Sequence, residues 1–73
     1  MYWFVSGIKK EETGVTAYDE FYTNTKKQAE WNVLEYDYIS GVMEKIVEGK
    51  DVVRKLQFKI VNGKIVYTFD EKE

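Results

Sequence analysis

The sequence predicts a small α+β domain: an antiparallel sheet in the order ββαββ, with one helix packed on one face. Three observations carry that prediction. Val52 to Phe69 forms two alternating runs separated by Asn62-Gly63. Tyr2 to Thr23 holds two more runs of aromatic and β-branched residues around a polar segment that ends in glycine. Between these halves, Thr25 to Gly49 sorts most of its apolar and acidic residues to opposite sides when laid out at about 100° per residue. The chain has 73 residues and no room for a second domain, so residues 1–73 are read as one unit with an acidic tail loosening from about residue 70.

Each element has its own warrant. Tyr2 to Lys9 is aromatic and β-branched, which suits a pleated, half-buried surface. Glu11-Glu12-Thr13-Gly14 is a turn. Val15 to Thr23 resumes the pattern, with Val15, Ala17 and Phe21 on one face and Thr16, Tyr18, Glu20 and Tyr22 on the other. These two strands form a hairpin. At the other end, Leu56, Phe58 and Ile60 alternate with Lys55, Gln57 and Lys59, and Arg54 interrupts the apolar side that begins at Val52. Asn62-Gly63 is the preferred centre of a two-residue type I′ turn, because both positions need positive φ. Ile65, Tyr67 and Phe69 give the last strand its apolar face.

The middle segment is read as a helix from a Thr25/Gln28 capping box to a C-terminus at Gly49. Trp31, Leu34, Tyr38, Ile39, Val42, Met43 and Ile46 form its buried sector, with Glu30, Asp37, Glu44 and Glu48 opposite. Against this, Val33 to Ile39 is β-prone, and Gly41 costs about 1 kcal/mol in a helix interior. The helix is therefore expected to be kinked or broken near Ser40-Gly41. The alternative is a third strand followed by a short helix.

Composition excludes more than it assigns. With no cysteine there are no disulfides, thiolate nucleophiles or zinc–sulfur sites. With no histidine the commonest general base and metal ligand is missing. Neither serine lies in a Gly-x-Ser-x-Gly or Ser-x-x-Lys frame. The carboxylate pairs Glu11/Glu12, Asp19/Glu20 and Glu35/Asp37 do not converge on one point: the first is in a turn, the second straddles a strand, and the third is two apart on a helix. Gly49-Lys50 and Gly63-Lys64 lack the upstream glycine of a phosphate loop. No calcium-loop series occurs. The expectation is a non-enzymatic chain with no catalytic, cofactor or metal site. Lacking a signal-like segment or an apolar stretch long enough to span a bilayer, it is expected in the cytoplasm, and Met1 directly before a strand reads as a native start.

Two surfaces are left as candidates. If the helix covers one sheet face, the other carries Tyr18, Tyr22, Lys55, Lys59 and either Trp3 with Val5 or Tyr2 with Phe4. Rings that keep a polar tip suit protein interfaces, and rings among lysines also suit single-stranded nucleic acid. Net charge of −2 and a single arginine speak against the nucleic-acid use. The second surface is an acidic ridge, Glu30–Asp37–Glu44–Glu48, that would meet a basic partner. Aromatics are 16% of the chain, more than one helix covers, so some are expected against another protein, foreign or a second copy in a homodimer. In size, composition and slight acidity the chain resembles, as a broad class and without any shared motif, the small inhibitors and accessory proteins of phages and mobile elements. A purely structural domain with a solvated surface is the remaining reading.

Overall fold

The computed structural model describes residues 1–72. Five strands and one helix follow one another as β1 (Tyr2–Lys10), β2 (Thr16–Thr23), α1 (Lys26–Glu35), β3 (Tyr38–Ile46), β4 (Val52–Val61) and β5 (Lys64–Lys72). The strands make one antiparallel sheet in the spatial order β2-β1-β3-β4-β5. Both β2 and β3 pair with β1, so they run parallel to each other with β1 between them. Parallel strands cannot be joined by a tight turn, and α1 is the crossover that carries the chain from one to the other.

The three hairpin turns follow the local chemistry. Asn62 and Gly63 both have positive φ, 52° and 76°, as a type I′ turn demands. Gly14 and Gly49 supply the positive φ of the other two turns, closed by Gly14 N–H to Glu11 C=O at 2.9 Å and Lys50 N–H to Val47 C=O at 2.9 Å. Gly49 therefore turns β3 into β4 and ends no helix.

The helix begins where the sequence places it: the Thr25 hydroxyl accepts the Gln28 backbone N–H at 3.1 Å. It ends fourteen residues before Gly49, at Glu35. Asp37 then adopts the left-handed conformation, φ 58°, at the position a glycine commonly fills after a helix. Its carbonyl accepts the Lys10 N–H at 3.0 Å, which anchors the helix exit to the end of β1. The β-prone run that follows becomes β3. The expected long helix is thus replaced by a short helix followed by a strand, the reverse of the order held as the alternative.

Gly41 belongs to that strand. It stands opposite Gly7 of β1, where the two backbones approach too closely for side chains. A Cβ on Gly7 would collide with the Ser40 carbonyl oxygen, and one on Gly41 with the Ser6 carbonyl oxygen and, at 3.0 Å, the Phe58 ring. A residue that weakens a helix is required by this strand crossing.

The core lies between the helix and one sheet face. Val5, Met43 and Leu56 from three adjacent strands and Val33 from α1 are almost wholly buried, with Trp3, Ala29, Tyr38 and Phe58 around them. Ala29 and Val33 are four apart and form the inner stripe of the helix. Phe21 stacks edge-on against Tyr36 and Tyr38, with ring centroids 5.5 and 5.7 Å away. Tyr67 latches the helix to β5. Its hydroxyl donates to Glu30 Oε2 at 2.5 Å, and Lys26 Nζ sits 4.7 Å from its ring centroid. Burial and the Glu30 carboxylate hold the Tyr67 phenol well above its ordinary range.

One irregularity sets which residues face outward at the far edge. The β4–β5 register shifts between Gln57 and Phe58, so Phe69 pairs with Gln57 and leaves the core side to which Ile65 and Tyr67 belong. Residues 70–72, expected to loosen, continue β5. Asp70 takes a two-pronged contact from Arg54, Nε at 3.2 Å and Nη2 at 3.1 Å, and these bonds hold the guanidinium above its usual range.

Candidate functional site

Among the described residues, no other element covers the sheet face away from α1. Its side chains follow from register and alternation, in rows that cross all five strands. One row reads Tyr22, Phe4, Glu44, Lys55, Glu71. The next reads Glu20, Ser6, Val42, Gln57, Phe69. The third reads Tyr18, Ile8, Ser40, Lys59, Val66. Lys10 and Lys64 stand at the margins. Tyr22 and Tyr18 are 73% and 64% exposed, and Phe69, Tyr2, Val66 and Ile8 are also exposed. Large apolar side chains thus run along both outer margins of this face.

The rings are organised at one corner. Tyr2 meets Tyr22 edge-on at 5.9 Å, and Phe4 stacks against Tyr22 at 6.4 Å. A cleft of about 450 Å³ opens between Tyr2 and Tyr22. Nearby, the Tyr18 hydroxyl donates to Glu20 Oε2 at 3.1 Å, which holds that ring along its own strand.

Five of the sequence-predicted residues share this face: Tyr18, Tyr22, Lys55, Lys59 and Glu44. Tyr18 and Tyr22 lie on β2 and Lys55 and Lys59 on β4, three strands away, a separation of about 14 Å. These two tyrosines and two lysines therefore occupy opposite halves. Glu20 and Glu44 lie among them, so the face carries four lysines and three glutamates.

The other predicted residues are elsewhere. Trp3 is 5% exposed on the covered face, packed in the core, and Tyr2 with Phe4 takes the outer positions of β1. The acidic ridge does not form, because its residues no longer share a helix. Glu30 is on α1 and bound to Tyr67. Asp37 is in the left-handed turn. Glu44 is on the open sheet face beside Lys55, and Glu48 is in the β3–β4 turn.

Sequence reasoning missed Ile8, Val42 and Phe69 as outer residues, and Trp31 on the outside of α1, where it is 67% exposed. Alternation would have revealed Ile8 once the phase of β1 was fixed. Nothing short of the β5 bulge would have revealed Phe69.

A second groove, of about 730 Å³, lies at the opposite end of the sheet beside Lys9, Tyr36, Tyr38 and Ile60. Of its two lysines, Lys9 is already engaged: its Nζ is 3.5 Å from Asp19 and 4.0 Å from Glu11. The buried Tyr38 hydroxyl has no hydrogen-bond partner within 3.5 Å among the described residues, and burial with the Asp19 carboxylate nearby pushes its ionisation well above the usual phenol range. Among the described residues no three histidine, cysteine, aspartate or glutamate side chains converge as metal ligands, and no helix is long and apolar enough to cross a membrane. No protein family, curated protein or solved structure matches the chain.

Proposed function

We propose that this chain is a non-enzymatic protein-binding module whose interface is the open face of its sheet. The observation that carries the reading is the concentration of exposed rings and aliphatic side chains on a face that the chain leaves uncovered. Tyrosines there offer large rigid area with a polar tip, the property that makes them interface anchors. The near balance of lysines and glutamates supports a protein partner over single-stranded nucleic acid, which needs cations interleaved with the rings and no acids between them. Such a face suits an inhibitor or accessory protein, which acts by occupying a surface and requires no reactive side chain. We place the activity in the cytoplasm, on the strength of a composition without cysteine.

The test is affinity capture from cell extract, read by mass spectrometry, with a tagged chain and an untagged copy also present. The unmodified chain and a Trp31→Ser control should retain the same protein, foreign or a second copy. A Tyr18→Ser, Tyr22→Ser, Phe69→Ser triple variant should lose it while keeping its circular dichroism spectrum. Retention of every captured protein by the triple variant would defeat the proposal.

A further inference from the structure

We infer that the open face is closed by a second copy of this chain, two sheets packing back to back about a two-fold axis that runs along β3. This rests on the reading of that face as a protein interface and names its occupant.

The symmetry of the sheet points there. Five strands with β3 in the middle mean that a two-fold along β3 sets β2 of one copy over β5 of the other, and β1 over β4. A two-fold interface must be self-complementary, and the two halves of this face are. The half built from β1 and β2 carries Tyr2, Phe4, Ile8, Tyr18 and Tyr22. The half built from β4 and β5 carries Lys55, Lys59 and Lys64 with Val66, Phe69 and Glu71. Folding one half over the other lays each row on its own reverse, which sets Phe4 over Lys55, a cation–π arrangement, Ile8 over the apolar stem of Lys59, Tyr18 over Val66 and the Tyr22 hydroxyl toward Glu71.

On the axis itself lies Val42, half-buried, which meets its own copy. Glu44 also lies on the axis and meets its own copy; each Glu44 stands directly across from Lys55 in the β3–β4 register, so each carboxylate has a counter-charge within its own chain.

The area agrees. The molecule measures 40 × 20 × 18 Å, which makes the broad face about 800 Å², and stable specific pairs bury about 800 Å² per partner. A foreign protein would have to supply a flat surface whose apolar and charged side chains match these rows; the second copy supplies one through the symmetry of the sheet. The assembly is a four-layer particle, helix–sheet–sheet–helix, with both Trp31 side chains on its outside.

Sedimentation equilibrium of the full chain between about 1 μM and about 1 mM tests this. The expected result is a concentration-dependent doubling of mass. Val42→Lys and Tyr22→Glu should each return the protein to a monomer at concentrations where the unmodified chain is dimeric, while Trp31→Ala leaves the dimer intact. Because the chain has no cysteine, V42C gives a clean second readout: facing sheets lie about 10 Å apart, so a short bis-maleimide should join two V42C chains, whereas T13C in the β1–β2 turn should not be joined.

A chain that stays monomeric up to about 1 mM overturns the inference. If the open-face triple variant then still loses a foreign protein in the capture experiment, the broader reading stands without it. A dimer indifferent to Val42→Lys and Tyr22→Glu also overturns the inference, whereas the broader reading falls only if the triple variant retains every captured protein.

Discussion

The two faces of this sheet are built from similar residues and differ in what lies over them. The covered face presents Trp3, Val5, Met43, Leu56 and Phe58, all nearly inaccessible. The open face presents Tyr2, Phe4, Tyr18, Tyr22 and Phe69, and all but Phe4 are substantially exposed. The cause is the length of α1. Ten residues bring only Ala29 and Val33 into the core, so the helix closes one side and nothing is left for the other. Apolar content therefore says little about burial in a chain this small. Which side of the strand a residue stands on decides its fate.

That contrast breaks first at the strand crossing beneath the covered face. Gly41→Ala drives a Cβ into the Ser6 carbonyl and the Phe58 ring, and should cost about 3 kcal/mol or more, with partial unfolding of β1 from β3 in thermal denaturation. Next come the filled positions: Met43→Ala and Leu56→Ala should each cost about 2–5 kcal/mol in urea denaturation, because little surrounds them that can collapse into the hole. The open-face change Tyr22→Ala should stay within about 0.5 kcal/mol of the unmodified chain in the same experiment, if the protein is held dilute enough to remain monomeric.

The latch between helix and sheet sharpens the comparison through pH. Tyr67 and Tyr38 ionise above the ordinary phenol value of 10.0 when folded. A folded state that holds its protons more tightly than the unfolded chain is stabilised fully below pH 10, and loses that stability as pH rises through the folded values. Thermal stability should therefore decline above pH 10. Tyr67→Phe should flatten part of that decline and, at neutral pH, cost about 1 kcal/mol through the lost hydrogen bond to Glu30, whose carboxylate keeps Lys26 Nζ at 3.9 Å. A small gain is expected at the helix exit: Asp37→Gly relieves the left-handed backbone and should raise stability by about 0.5 kcal/mol, read as a shift in urea midpoint.

Much of the fold was legible in local chemistry. Asn62-Gly63 specified its turn, Thr25 with Gln28 its cap, and the alternation of Val15 to Thr23 its two faces. The middle segment was not, because its apolar spacing fits two periods at once and the tie is broken non-locally. Gly41 tells against a helix only when Gly7 is known to lie opposite, and Asp37 is a helix stop only because its carbonyl is held by Lys10. The candidate site shares this division. Tyr18, Tyr22, Lys55 and Lys59 could be placed on one face from alternation within their own strands. Trp3 could not, because the phase of β1 depends on which side the helix chooses, and the acidic ridge was lost once the helix ended at Glu35.

The strand order also sets a timetable. The hairpin of β1 with β2 and the meander of β3, β4 and β5 each close over short turns and can form early. The pairing that welds them, β1 with β3, spans from 29 residues (Lys9 to Tyr38) to 44 (Tyr2 to Ile46), the longest closure among the strand pairings. Folding should therefore wait on this docking, with Gly7 and Gly41 at its centre. Substitutions beside that seam would slow refolding, whereas those at the Asn62-Gly63 turn would act chiefly on the early meander. A ribosome releasing this chain finishes β1 first and must hold it without its central partner until the crossover helix and β3 have emerged.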